Sequence, residues 1–306
     1  MNEKTMVTYE SILASQQRTP AWRVEDLIGG ERRLDFTRTF LPEGLAGVDT
    51  LTFLSASERR TLNQIRGHEY LSIFGLVEEF ILPFVLDHAR PRLRDDDHRV
   101  RALLQFAGEE AKHIQLFKRF REAFEAGFGH RCGTIGPPQP VAAHVLGHDP
   151  LGVALVILHI EWMTQRHYLD SVLTDDGLDP LFKSLLRHHW IEEAQHARLD
   201  GLMVEAIGAG RDEAGIARGV DAYLAIGTFL DQALAQQVEL DLDALERAGG
   251  RKLGAEERAA LAKEQHQANR WTYLGSGMSH PEFLSAVGRL SPAQRARLEQ
   301  VAPAFA

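Results

Sequence analysis

The sequence predicts an all-α protein: a four-helix bundle with one long crossover connection and additional helices after it. Three observations carry that prediction. Apolar residues recur with helical spacing through most of residues 55–270, helix-start signals stand ahead of the long periodic segments, and one central stretch is too rich in glycine and proline to be helical throughout. No segment shows the alternating period of a strand.

Residues 1–54 mix short apolar pieces with Pro20, Gly29, Gly30, Pro42 and Gly44, and read as an irregular arm with one short helix. Ser55 and Glu58 then form a Ser-x-x-Glu capping box that starts a helix running to about Arg90, with Pro83 bending its last turns. One of Asp95, Asp96 and Asp97 caps a second helix from about His98 to Ala126, whose apolar face carries Leu103, Phe106, Phe117, Phe120 and Phe124. Residues 127–149 hold five glycines with Pro137, Pro138 and Pro140. At about 3.3 Å per residue they can run the length of a bundle, as a crossover must. Asp149-Pro150 and Asp179-Pro180 each set an N-cap before a proline at the first helical position, starting helices of about 150–174 and 180–208. Further helices are expected at 213–247 and 255–270, and short ones near 282–288 and 292–300, the latter begun by Ser291 and Gln294. Residues 271–283, with their glycines and serines, read as a candidate lid. The whole reads as one domain: an arm (1–54), the bundle (55–208), and C-terminal helices packed on it (209–306).

Two stretches are near-copies, Glu109-Glu110-Ala111-Lys112-His113 and Glu192-Glu193-Ala194-Gln195-His196. In each, a Glu and a His three residues apart share one turn and one face of a helix. A single such turn is commonplace on a solvated face, whereas two in similar apolar surroundings point to a metal gripped between helices. At 100° per residue, Glu110 and His113 fall within the arc of Leu103, Phe106, Phe117 and Phe120, and Glu109 falls outside it. Glu193 and His196 likewise share a face with Phe182, Leu185, Met203 and Ile207, together with His189 one turn before and Asp200 one turn after. Glu109 and Glu192 are therefore read as solvated neighbours, and their replacement by Ala is expected to leave the centre largely intact. Buried carboxylates need a cation, so more of them are expected on the other two helices. Glu161 lies among Ile157, Leu158 and Tyr168, opposite a stripe of His159, Arg166, His167 and Asp170. Glu78 lies among Leu71, Phe74, Ile81 and Val85, with Glu79 the alternative. Glu78 to Glu110 and Glu161 to Glu193 are both separated by 32 residues, the equality that a pseudo-twofold pair of helix pairs produces.

In these carboxylates and imidazoles the chain resembles the ferritin-like di-iron carboxylate superfamily over about residues 57–208. The added His189, in His-x-x-x-Glu-x-x-His, matches the p-aminobenzoate N-oxygenase (AurF-like) family. There a third His joins the usual six ligands, so the resemblance implies the set Glu78, Glu110, His113, Glu161, His189, Glu193 and His196. It also implies two iron ions, with manganese the alternative, and O2 as co-substrate. The activity it implies is N-oxygenation of an amine, particularly an aryl amine, with hydroxylation or desaturation by the same centre as the alternative. Thr164, one turn after Glu161, resembles a threonine associated with oxygen activation and proton delivery in related enzymes; its bland reading is a core Thr bonded to its own helix. Asp200 is expected to orient His196 or to form an ordinary ion pair. Phe117 stands where radical-forming ribonucleotide reductase subunits carry Tyr, which argues against a stored tyrosyl radical at that position. His159, His188, His266 and His280 read as surface or structural residues.

The net charge of −9 disfavours a nucleic-acid or anionic-membrane surface, leaving a small-molecule substrate, an external electron donor and a homodimer as the expected partners. The single Cys132, and a start (Met1 to Glu10) without an apolar stretch, lead to the expectation of a reducing cytoplasm. No run reaches the length of a membrane span. Ferritin-like iron handling is the rival reading, disfavoured by the roughly 100 residues that follow the ligand helices, more than a minimal bundle needs. A helical interaction protein with a decorative motif leaves the buried carboxylates unexplained.

Overall fold

The computed structural model describes residues 7–94 and 97–305. Three short helices, α1 (Tyr9–Gln16), α2 (Val24–Leu27) and α3 (Glu43–Ala46), lie in the N-terminal arm, where one was expected. The long helices follow: α4 (Ala56–Ala89), α5 (Asp97–Phe128), α6 (Pro138–Leu146, short), α7 (Pro150–Arg166), α8 (Pro180–Gly208), α9 (Glu213–Gly249) and α10 (Ala255–Arg270). Three small α-helices follow, α11 (Ser276–Met278), α12 (Pro281–Leu290) and α13 (Pro292–Val301), and then a 3-10 turn over Ala302–Phe305. Among the described residues the only β-type pairing is an isolated bridge between Thr39 and Leu178.

The starts of the bundle helices follow from their caps. Ser55 Oγ accepts from the Glu58 backbone N–H and Glu58 Oε2 accepts from that of Ser55, satisfying two orphan donors of α4. Asp149 and Asp179 cap α7 and α8 through the backbone N–H groups of Leu151 and Phe182. Of the expected α5 caps, Asp95 and Asp96 lie outside the described residues, and Asp97 is the first helical residue rather than a cap. Pro83 is accommodated within α4, which continues to Ala89.

α4 packs along α5 and α7 along α8, giving the two helix pairs of the bundle. The crossover carries α6, which lies on α4. α9 covers α7 and α4, α10 lies on α9, and α1 seals the side where α5 and α8 meet. At the α7–α9 contact a Cβ on Gly152 would stand 2.9 Å from the Gly219 carbonyl, and one on Gly219 would stand 2.6 Å from Leu151, so glycine is what lets these backbones approach. One continuous apolar core runs from Ile12 to Ala302.

Two segments depart from expectation. The end of the third bundle helix, His167–Val172, and the segment Trp271–Gly275 are both wound as π-helix, which places an extra residue per turn and turns side chains inward. Residues 271–278 are not a lid: Thr272, Leu274, Ser276 and Met278 are buried, and the Thr272 and Ser276 carbonyls face His167 and Arg166 of the bundle. No helix among the described residues is long and apolar enough to cross a membrane.

A carboxylate and histidine metal centre

The helical period brings the chosen side chains of four helices to one place. Glu78 (α4), Glu110 and His113 (α5), Glu161 (α7), and His189, Glu193 and His196 (α8) are each at most 2% exposed. One donor atom each from Glu78, His113, His189 and Glu193 lie within 4.8 Å of one another, as do donors from Glu110, His113, Glu193 and His196. His113 and Glu193 thus belong to both groups. His113 Nδ1 is 3.0 Å from Glu193 Oε1, and His196 Nδ1 is 2.8 Å from Glu110 Oε1 and 2.7 Å from Glu193 Oε2. His189 turns Nε2 inward instead, 2.5 Å from Glu193 Oε1 and 3.3 Å from Glu78 Oε1. The carboxyls of Glu78 and Glu110 are close enough to act on each other's ionisation, and so are those of Glu161 and Glu193. These are the two pairs 32 residues apart. Glu79, the alternative to Glu78, is only half-buried and faces a surface cavity.

The reading of Glu109 and Glu192 as solvated neighbours is corrected. Glu192 is 3% exposed, and its Oε2 accepts from His113 Nε2–H at 2.9 Å. Glu109 Oε2 accepts from His196 Nε2–H at 2.8 Å. The first Glu of each motif therefore holds the His of the other motif. A carboxylate can only accept, so each bond fixes the proton on Nε2 and leaves Nδ1 to face the centre, the usual arrangement behind a metal-ligating imidazole. Lys112 also reaches Glu192, at 2.5 Å, and stands 3.9 Å from the Trp22 ring centroid. Trp22 itself lies nearly parallel to His113, at 6.3 Å between rings. The arm before the bundle thus closes the site on its α5–α8 side. Sequence reasoning missed this, because a wheel shows which side of one helix faces inward and not what a distant segment lays over its edge.

The donor set fits metal ions. Both oxygens of Glu110, one each of Glu78 and Glu161, and Nδ1 of His113 are buried without a hydrogen-bond partner of ordinary geometry. Such groups are costly unless a cation or proton meets them. Without a metal the charge is balanced by protons. Burial and the neighbouring Glu110 push Glu78 well above the carboxylate range, and burial with Glu193 does the same to Glu161. Burial also acts upward on Glu110 and Glu193, but they end low, Glu110 at about 2, because a partner carboxyl and surrounding imidazoles hold the anion. Burial acts downward on His113 and His196, yet Glu193 and the other carboxylates raise both. Two divalent cations would replace those protons and neutralise the four glutamates, with three neutral imidazoles completing a mixed oxygen and nitrogen set.

Asp200 does not orient His196, since Glu109 occupies Nε2 and both Asp200 oxygens lack hydrogen-bond partners. Burial, only partly offset by His196, pushes its carboxyl well above the usual range. Thr164 Oγ1 donates to the Ile160 carbonyl of its own helix at 3.1 Å, as a core threonine does. His159 and His167, placed by the wheel on the polar stripe of α7, are buried because residues 271–278 and α9 cover that face. The rings of Phe74 and Phe117 pack edge-on against His189 at 5.3 and 4.9 Å. Beyond Phe117 lies a cavity of about 890 Å³ lined also by His68, Lys118 and Arg121. Beyond Phe74 lies an apolar one of about 220 Å³ lined by Ile160, Met163 and Tyr273.

The fold and this site define a helical-bundle protein with a carboxylate and histidine di-metal centre of the oxidase and oxygenase class. More particularly, the chain belongs to the p-aminobenzoate N-oxygenase AurF family, whose model matches residues 21–226. No protein of curated function is detectably similar in sequence. Among solved structures, three variants of an R2-like ligand-binding oxidase with reconstituted Mn/Fe cofactor align with TM-scores of 0.46, 0.47 and 0.47. Identities are 15, 14 and 15%, over 88, 88 and 89% of this chain and 94% of theirs.

Proposed function

We propose that the protein is a di-iron, O2-dependent oxygenase that oxidises a small organic molecule, and that its reaction is N-oxygenation of an amine, an aryl amine in particular. The observation that carries this reading is His189, whose Nε2 lies between Glu78 and Glu193 and adds a seventh donor to one side of the centre. Family membership supports the same reaction class. In this reading Glu78, His113, His189 and Glu193 would hold one ion, and Glu110, Glu193 and His196, with Glu161 beside them, would hold the other. The ions supply the binding and reduction of O2, with electrons from an external donor.

The chain's own residues set the conditions. Glu192 and Glu109 hold the Nε2 proton of His113 and His196, so both rings turn Nδ1 to the centre, where a bound ion would take the place of its proton. Phe106, 4.1 Å from the His196 ring, and Phe74 and Phe117 on His189 keep water away from the ligands. His189 is the ligand against which Phe74 and Phe117, one in the wall of each cavity, pack, so substrate is expected to approach from its side. An apolar cavity of roughly 150 Å³ is enough to hold benzene, and the 220 Å³ space behind Phe74 suits a small aromatic molecule. Manganese in place of iron would use the same donors.

The test is to load the protein with ferrous iron, admit O2 and offer aryl amines such as p-aminobenzoate, following hydroxylamine and nitro products by mass spectrometry. His189→Ala is expected to keep its fold and to lose amine oxidation. If the variant matches the wild type in turnover, His189 is a core histidine and the N-oxygenase reading fails.

A further inference from the structure

Two tyrosine–histidine pairs sit side by side against α7, and only one of them borders the metal centre. Tyr70 OH lies 3.1 Å from His167 Nδ1, with Tyr70 at 1% and His167 at 3% exposure. The other nitrogen of His167, Nε2, faces the Thr272 carbonyl at 2.9 Å and Ser276 Oγ at 3.1 Å. A carbonyl only accepts, so Nε2 carries the proton and Nδ1 is the free acceptor. The phenol O–H therefore donates to Nδ1. Burial keeps this ring neutral, its pKa lowered to about 3. Tyr70 stacks on Phe74 at 4.3 Å between centroids, and Phe74 meets the His189 ring edge-on at 5.3 Å. Glu193 is close enough to act, after burial, on the Tyr70 phenol and push its pKa further up. The second pair, Tyr223 OH with His159 Nδ1 at 2.7 Å, has the same chemistry but packs against Phe283 instead of Phe74.

We propose that Tyr70, with His167 as its proton acceptor, is a redox-active residue that donates one electron to the oxidised metal centre when no substrate is bound. The proposal rests on the O2-activating reading of the site, which supplies the oxidant. In this step Tyr70 loses one electron, which lowers the oxidation state of the centre by one. The phenolic O–H bond breaks and an Nδ1–H bond forms on His167, leaving a neutral phenoxyl radical and an imidazolium. An electron from the external donor and the returning proton restore the pair. Loss of an electron turns the phenol into a strong acid, so a neutral imidazole already within hydrogen-bond distance takes the proton without rearrangement. Tyr273, whose ring is 6.2 Å from that of Tyr70 and which lines the 220 Å³ cavity, is the next phenol outward. The arrangement differs from a radical stored one turn after the α5 histidine, where this chain has Phe117.

The experiment uses the full chain loaded with ferrous iron, with metal content and O2 consumption measured first. The protein is then mixed with O2 without substrate, freeze-quenched and examined by electron paramagnetic resonance, with natural and with ring-deuterated tyrosine. A tyrosyl signal whose hyperfine structure collapses on deuteration is expected in the wild type and in Tyr223→Phe. It is expected to vanish in Tyr70→Phe and to be lost or strongly reduced in His167→Gln, with the fold of each checked by circular dichroism. A wild type that binds metal and consumes O2 without a tyrosyl signal, or a signal surviving in Tyr70→Phe, overturns the proposal while leaving the oxygenase reading standing. A loaded protein that consumes no O2 overturns both.

Discussion

Replacing Glu192 with Ala tests the crossed arrangement of the two motifs most directly. The side chain belongs to neither donor group, yet its Oε2 accepts from Nε2–H of a fully buried imidazole at 2.9 Å and its other oxygen meets Lys112. Its loss frees His113 to rotate and lowers the basicity of Nδ1. Removal of such an outer partner typically weakens metal binding 10–100-fold, or about 1.4 to 2.7 kcal/mol. With His113 assigned to the ion of Glu78 and His189, the loss should be confined to that ion, because His196 keeps Glu109 at 2.8 Å. A chelator-competition titration is therefore expected to split into two steps in Glu192→Ala, one near wild-type affinity and one weakened by that factor. Glu109→Ala should weaken the other step. Glu192→Gln should recover most of the loss, since the amide oxygen still accepts from Nε2–H. Glu193→Ala, which removes a donor common to both groups, should abolish both steps. An unchanged titration in Glu192→Ala would return that residue to the role of a surface carboxylate, and loss of both ions would make it a direct ligand; either result refutes the crossed arrangement.

The fully loaded chain should hold two metal ions, and a plateau at one by metal analysis would break the pairing of the two donor groups. At 100 times its dissociation constant each ion should stabilise the fold by about 2.7 kcal/mol, seen as a higher melting temperature than that of the metal-free protein. Glu78→Ala should lose metal and Glu79→Ala should bind normally, because the first residue is 2% exposed within the cluster and the second faces a surface cavity. Glu58→Gln should cost about 1 kcal/mol at neutral pH, the worth of a helix cap beside solvent. The Ser55 backbone N–H, then Arg251 and the Ser55 hydroxyl, lower the Glu58 pKa from 4.5 to about 2. A lowered pKa stabilises above its ordinary value and is lost on acidification, so the gap between variant and wild type should close as pH falls from about 4.5 towards 2. A gap that stays constant in denaturant melts across that window would remove Glu58 from the cap.

The fold was legible where local chemistry is strong. Capping residues at Ser55, Asp149, Asp179 and Ser291 mark helix starts that the structure places within a residue or two. Less legible were the elements whose form depends on what packs against them. The arm holds three short helices because apolar residues such as Leu45 and Ala46 find a core to enter, and four residues carry too little periodicity to announce that. The π-wound segments were invisible for the same reason. Each inserts a residue that no helical wheel allows for, and the segment after Arg270 is held inward by bonds to Arg166 and His167, more than 100 residues earlier.

Within the site, the wheel placed Glu78, Glu110, Glu161, His189 and Glu193 on buried faces because the centre of a bundle is what four apolar stripes share. It failed at Glu109 and Glu192 for a geometric reason. A ligating imidazole has two nitrogens on opposite sides of its ring, so a histidine pointing at the bundle axis sends its second nitrogen towards the seam between its own helix and the next. Residues flanking that seam lie about 100° from the apolar arc on their own helix and read as solvated. On the neighbouring helix they are the groups that reach the outward nitrogen. Because α5 and α8 face each other, the requirement is mutual: the Glu before the ligand Glu in one motif is placed to serve the His of the other. The doubled glutamate at 109–110 and again at 192–193 has this physical content, one carboxylate for the metals and one for the opposite imidazole. A single motif could not have revealed it. Two copies facing across a bundle could have, had the outward nitrogen of each histidine been asked for a partner.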